Sequence, residues 1–404
     1  MKLIQFNAEG CFRDSTHEAG ISPSQVKSLR DPMLRIRDQI VADADQQPQS
    51  SFLRLPKRIH EAYESQRGDS ELGRIFRVAN GLHDEIDAVI VLGGESVLAA
   101  RALMQACCDP LQNELDRAGR GSKPRMYFAG NRFDNDRLSS LLHHIRRTDH
   151  GSTKIDSRWA LIVVDAVKQR SETMYAFSHF LDAMDETRVD QANAMRGRLL
   201  LPITRQGTAL DQWANESGCS DVFSAYEQID DRFGALSPAT LLPAAMLGLD
   251  CMRLLGGAHA ITQHFAEASF NDNIALQMAA VSHLHPAGNR LQVWNQSLTG
   301  FLKWNQRVQS QQGQQLVHNV IVETDRWTNL SFPESQKDNP VFGDLPEKDM
   351  RGLLDQQIAE ANESHNAAAR STTQLRLPGT DIFSLGQLFQ LLMLQGLIAT
   401  QLAD

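Results

Sequence analysis

The chain has 404 residues, enough for two or three domains and a large core, and its 40 Lys plus Arg against 49 Asp plus Glu leave a formal charge of -9. That acidic balance excludes a broad phosphate-neutralising surface for nucleic acid. With 42% hydrophobic and 22% charged residues, the composition is that of a folded globular protein.

The N-terminus, MKLIQFNAEGCFRD, reaches acidic and polar residues before any apolar run of signal-peptide length, so no secretion signal is read and the cytoplasm is expected. Residues 1–80 read as a helical segment, with Pro23, Pro32, Pro48 and Pro56 as breaks and helix candidates at 33–44 and 57–82. Then DAVIVLGG (87–94), a β-branched run ending in glycines, precedes a helix-like stretch. RMYFAGN (125–131) and WALIVVDA (159–166) repeat that pattern. Three fully apolar strands separated by helices predict a parallel sheet covered on both faces, an α/β/α subdomain over 81–225.

A second α/β/α subdomain is expected over 226–404. Its first part, through HAITQHF, reads as buried helices broken at Pro243 and at Gly256-Gly257, followed by a helical run over 288–310. HNVIVETD (318–325) and TTQLRLPG (372–379) are strand candidates, and SFPESQKDNPVFGDLP (331–346) is a Pro-rich surface connection. Ser384 and Gln387 have capping-box spacing at the start of the closing helix. The apolar tail from Leu385 to Ala403 is interrupted by Gln387, Gln390, Gln395 and Gln401, which favours a packed helix over a membrane span. Its apolar surface needs covering by this chain or another, so a second copy or a related partner is expected.

The five cysteines are an odd number with no C-x-x-C spacing, which predicts reduced thiols and no zinc knuckle. Cys107 and Cys108, adjacent on a predicted helix, point in different directions and read as small buried residues. His143-His144 and His283-x-His285 lack companion ligands and read as surface histidines, so no metal is expected.

The ordered set LGGESVLAARALM (92–104), YFAGNRFDND (127–136), LIVVDAVKQRSETMYAF (161–177), DDRFGALSPATLLPAAMLGLD (230–250) and DIFSLGQLFQLLML (381–394) resembles the glucose-6-phosphate isomerase family. The resemblance covers most of the chain. It implies two sugar-isomerase (SIS) α/β/α subdomains, the interconversion of glucose 6-phosphate and fructose 6-phosphate in glycolysis and gluconeogenesis, no cofactor, and a homodimer.

It also implies where a site would lie. The family's G-I-G-G-S phosphate turn matches Leu92-Gly93-Gly94-Glu95-Ser96: Gly94 and Ser96 are kept as substrate contacts, while Glu95 adds a carboxylate where a dianion would sit. The hydroxyl-rich phosphate loop matches Asp165 to Thr173. Glu172 and Thr173 are kept, but the hydroxyl positions have become Asp165, Val167 and Arg170. Lys168 and Arg170 either grip an anion in another way or form a solvated helix start. In the G-G-R-[FY]-S signature the arginine is Arg232, flanked by Asp230 and Asp231, so it either stabilises charge on the substrate or pairs with one of them.

A gapless match of WNQRVQSQQGQQ (304–315) puts Gln311 at the family's glutamate base, and a carboxamide has no basic lone pair for moving a proton between C1 and C2. The family's histidine turn has no counterpart. His318 and His365 match other segments and read as surface or capping residues. The family's lysine falls beyond Asp404. The expectation is a member that keeps the fold and is catalytically degenerate; the alternative is an isomerase with a rebuilt site, using Glu172 or Asp231 as base.

Overall fold

The structure, a computed structural model, describes residues 2–13, 20–148, 158–165, 170–186, 197–226, 228–309, 312–337, 339–342 and 349–403. The N-terminal segment begins with a strand, β1 (Gln5–Asn7), before helices α1 (Pro23–Ser28), α2 (Arg30–Gln46), α3 (Leu55–Gln66) and α4 (Glu71–His83). The single helix expected over 57–82 is therefore two. Arg67 takes a left-handed φ of 49°, which ends α3, and the Ser70 hydroxyl accepts a hydrogen bond from Gly73 N at 3.0 Å to start α4.

The chain then builds an all-parallel sheet in the order β3-β2-β4-β5-β6, from β2 (Ala88–Leu92), β3 (Arg125–Ala129), β4 (Trp159–Asp165), β5 (Leu200–Thr204) and β6 (Phe223–Ser224). All seven residues of β4 are buried, as an inner strand with helices on both faces requires. The chain leaves β2 to one side to form β3, then crosses back to form β4 on the other. A parallel sheet opens a crevice at such a reversal, beyond the strand carboxyl ends. Helices α5 (Leu98–Cys107), α6 (Asn135–Thr148), α7 (Ser171–Glu186) and α8 (Ala209–Glu216) accompany this sheet.

The second half opens with α9 (Pro238–Met246), α10 (Cys251–Glu267) and α11 (Ile274–His283), and here the expected breaks move. Pro243 lies inside α9 and Gly256-Gly257 inside α10; the chain turns instead at Gly248, which has φ +73°. Gly257 serves a helix crossing. A Cβ there would sit 2.0 Å from the Phe383 carbonyl oxygen, and a Cβ on Gly386 would sit 2.0 Å from that of Leu254. The two glycines let α10 lie directly on α14 (Ile382–Ala403).

The second sheet runs β1-β9-β8-β7, with β7 (Asn289–Val293), β8 (Leu316–Val322) and β9 (Ser371–Leu377) parallel and β1 antiparallel on β9. The helical reading of 288–310 fails over β7, a partly exposed strand with mixed polarity, and holds for α12 (Thr299–Val308). The two halves meet where α5 packs on α12: a Cβ on Gly300 would approach Ala102 Cα to 2.8 Å. Helix α13 (Met350–Ala367) joins β8 to β9.

The cap of α14 is Asp381 rather than Ser384. The Asp381 carboxylate accepts from Phe383 N at 3.0 Å and from the Ser384 hydroxyl at 2.6 Å, leaving Ser384 inside the first turn. Gln387 instead accepts from Ile4 N at 2.9 Å and donates to the Lys2 carbonyl at 3.2 Å. Gln390 donates to the Thr262 hydroxyl, and Gln395 to that of Ser282. Among the described residues α14 is the one helix long and apolar enough to cross a membrane, and 78% of its apolar window is buried inside the fold. The tail's surface is thus covered largely by this chain itself, one of the two coverings its composition left open.

Two histidines read as surface residues are core residues. His318, in the middle of β8, lies between the Ser282 and Thr373 hydroxyls at 3.1 and 2.7 Å, and His285 lies between the Val281 carbonyl and the Ser371 hydroxyl at 2.7 and 2.8 Å. Burial drives the His318 pKa down to about 3, so the ring is neutral and serves as a bridge between hydroxyls. Both were misread because hydroxyl partners on neighbouring elements leave no local pattern.

Candidate functional site

The crevice beyond β2 and β4 brings together Gly94, Glu95, Ser96 and Arg170. Gly93 is required by crowding, since a Cβ there would lie 2.5 Å from a Val97 methyl. Gly94 is covered by a side chain: its Cβ position is 2.7 Å from Arg170 Cδ. The next residue opens a 3-10 turn, Glu95–Val97, that leads into α5. Glu95 Oε2 sits 2.9 Å from Arg307 Nε and 3.4 Å from an Arg170 terminal nitrogen. Arg307 belongs to α12, so the carboxylate is held from both halves of the molecule.

What remains open is small. The cleft beside this clamp, lined by Glu95, Ser96, Arg205, Ser237, Trp304 and Arg307 among others, has a cavity volume of about 30 Å³. A space of that size holds one or two waters.

The other expected contacts are engaged in the fold. Thr173, buried in the first turn of α7, donates from its hydroxyl to the Gly130 carbonyl at 2.7 Å and so ties α7 to the end of β3. Glu172 lies half-buried beside it. Arg232 turns to Asp230, making two side-chain hydrogen bonds to one carboxylate oxygen at 3.0 and 2.7 Å, while Ile229 and Gly234 on either side line the cleft. Burial raises the Asp230 pKa, but the hydrogen bonds from Arg232 outweigh it and hold the carboxyl below its usual range. Of the two readings of Arg232, the ion pair with Asp230 is present. Lys168, Val167, Gln311 and the Asp231 side chain lie outside the described residues.

Asp165 ends β4 buried. Burial raises its pKa, and the nearby Arg205 only partly offsets this. Arg205, Tyr226, Trp304 and Arg307 line the cleft without having been singled out in the sequence. Arg205 directly follows β5, so recognising that strand would have flagged it; nothing local marks Arg307. Tyr226 donates its hydroxyl to Glu71, whose pKa is raised by burial. Among the described residues no group of three or more His, Cys, Asp or Glu side chains could hold a metal. Burial pushes the thiols of Cys107 and Cys108 up to about 12 and about 11, which leaves them protonated and unreactive.

No family model matches the chain. Curated relatives do. It is 26% identical over 240 residues to glucose-6-phosphate isomerase of Caldanaerobacter subterraneus, a match covering 58% of this chain and 50% of that protein, so the chain spans about half the length of that relative. Against the Streptococcus thermophilus enzyme it is 22% identical over 400 residues, covering 91% of this chain and 85% of that protein. Among solved structures, a hypothetical protein from Thermus thermophilus superposes with a TM-score of 0.76 at 20% identity, over 99% of this chain and 94% of the other. A glucose-6-phosphate isomerase from Chlamydia trachomatis gives 0.69 at 13% identity, over 97% and 87%.

Two α/β/α units, one on an all-parallel sheet and one on a sheet parallel except for β1, joined through facing helices and with a crevice at the first sheet's reversal, define a protein of the double sugar-isomerase fold. With the relatives above, the chain is a divergent member of the glucose-6-phosphate isomerase family.

Proposed function

We propose that this chain is a catalytically degenerate family member: a non-catalytic protein, cytoplasmic, acting through weak sugar-phosphate binding or through association with a second copy or an isomerase-like partner. The observation that carries the reading is the Glu95 clamp. A carboxylate held by Arg307 at 2.9 Å and Arg170 at 3.4 Å places negative charge at the glycine turn, and the Arg170 side chain covers Gly94. A sugar phosphate approaching that turn finds both guanidinium groups already engaged by a carboxylate and the turn itself covered.

Proton transfer is the second support. A positioned general acid or base contributes about 10²- to 10⁴-fold, and the residue matched to the family base is Gln311. The test is a coupled assay of purified protein with fructose 6-phosphate. Turnover below detection is expected; a rate of about 1 s⁻¹ or more, ordinary for an enzyme, overturns the proposal.

A second reading, an isomerase with a rebuilt site, is favoured by one observation: Asp165 has a raised pKa and lies near Arg205, an acid-base group beside a cation at the crevice. It requires wild-type turnover with some aldose or ketose phosphate and its loss in Asp165→Asn.

A further inference from the structure

The second half of the molecule repeats the plan of the first at one turn. β7 runs through a 3-10 turn, Gln296–Leu298, into α12, as β2 runs through Glu95–Val97 into α5. Beyond the carboxyl ends of β7 and β8, where an open parallel sheet places its ligands, lies a cavity of about 530 Å³ that takes no part in the reading above. Small-molecule sites usually measure about 300–1,000 Å³. Where the first turn has Gly93-Gly94, this one has Trp294-Asn295, and the Trp294 indole lines the cavity, fixed by a 3.0 Å hydrogen bond from Nε1 to the Asn319 side chain. Three of the large hydrophobic side chains left exposed among the described residues line it too: Trp327 (70% exposed), Leu330 (70%) and Met350 (61%). Scattered exposed apolar residues need no explanation, but three around one cavity do.

The charge of the lining is unbalanced. Arg326 and Arg351 stand against one carboxylate, Asp325, in a chain whose formal charge is -9. Wall contacts hold both guanidinium groups without exhausting them, since each carries five N–H donors. Arg326 donates to the Cys108 carbonyl at 2.6 Å and to that of Ala106, and it stays exposed. Arg351 donates from Nη1 to the Val322 carbonyl, while its Nη2 has no partner among the described residues. Asp355, 3.5 Å from Arg351 Nε, lies outside the lining and is 60% exposed, so solvent screens that pair. A guanidinium with donors to spare beside an apolar wall matches a carboxylate carried on an apolar body.

We propose that this cavity binds an aromatic carboxylate, its ring among Trp294, Trp327, Leu330 and Met350 and its carboxylate accepting from Arg351 Nη2, with Arg326 adding a second positive charge. The test titrates the full chain by calorimetry with 2-naphthoate and with 2-naphthamide, a neutral probe of the same shape. 2-Naphthoate is expected to bind saturably and about tenfold or more tighter than the amide, the preference a charged hydrogen bond confers. Arg351→Gln is expected to erase that preference, and Trp327→Ala to weaken both probes. Phe133→Ala, at an exposed aromatic outside the cavity, is expected to bind as wild type does. Because Arg351 also holds the wall, the preference is measured in wild type too as salt rises from about 20 mM to about 500 mM, where screening should shrink it. Absence of saturable binding, equal affinity for the two probes, indifference to Trp327→Ala, a preference that survives Arg351→Gln, or one that salt leaves unchanged each overturns the proposal.

Discussion

Arg307 on α12 holds the Glu95 carboxylate at 2.9 Å, so a residue of the second half closes the glycine turn of the first. The pair is partly solvated on the Glu95 side, and pairs of that kind contribute about 0–1 kcal/mol. Its consequence is for what the turn can admit rather than for stability.

Replacing Glu95 with glycine removes a carboxylate that competes with an external anion for Arg307 and Arg170. Wild-type protein is expected to show only a weak thermal shift with fructose 6-phosphate at millimolar concentration. Glu95→Gly is expected to show a larger one that grows with ligand as RT ln(1 + [L]/Kd). Equal responses from the two proteins would remove Glu95 from the explanation of the closed cleft.

Arg232→Ala tests the assignment of that arginine to Asp230. Both partners are 40% exposed or more, so unfolding free energy should fall by about 1 kcal/mol or less in urea denaturation. No enzymatic signal should change with it, whereas an active site built on Arg232 would lose its turnover.

Thr173→Val removes the hydroxyl that donates to the Gly130 carbonyl inside the core. A buried acceptor left without its partner costs about 1–3 kcal/mol. The loss should be read in denaturation alone, with no effect on any sugar-phosphate response; a weakened response at unchanged stability would return Thr173 to the ligand.

His318 makes stability depend on acidity. Its pKa is 6.5 in the unfolded chain and about 3 in the folded one, so below pH 6.5 the unfolded state takes a proton that the folded state refuses. The His318 contribution is fully present above pH 6.5 and is lost at about 1.4 kcal/mol per pH unit as pH falls toward 3. Urea midpoints measured from pH 7 to pH 4 should decline less steeply in His318→Asn than in wild type.

Gly386→Ala places a methyl 2.0 Å from the Leu254 carbonyl oxygen, between backbones that cannot both move. Overpacking of this kind costs about 1–3 kcal/mol and more where relaxation is blocked. Calorimetry should show a lowered melting temperature, whereas Gly68→Ala, with nothing within 4 Å of the new methyl, should not.

The sequence disclosed those parts of the fold whose signal is local. The runs at Val89–Leu92 and Leu161–Val164 are apolar without interruption, as inner parallel strands favour, and Val320–Val322 marks β8; each was placed within a few residues. β1 and β7 were missed because their residues mix polarity at a sheet edge, and β5 because Pro202 interrupts an otherwise buried strand. In the crevice, Gly94, Glu95, Ser96 and Arg170 were identified from the resemblance of their segments to the family's phosphate turn and loop, and the structure brings them together. Arg307 was invisible because its role depends on α12 crossing α5, a contact between residues two hundred positions apart that no window of sequence contains.

Ile4 and Gln387, 383 positions apart, share a buried hydrogen bond, and β1 lies on β9. During synthesis β1 leaves the ribosome with nothing to pair with and must wait, unprotected, for β9, which follows every other strand of both sheets. Closure of the second sheet is therefore a late step whose pace is set by the search of a very long loop.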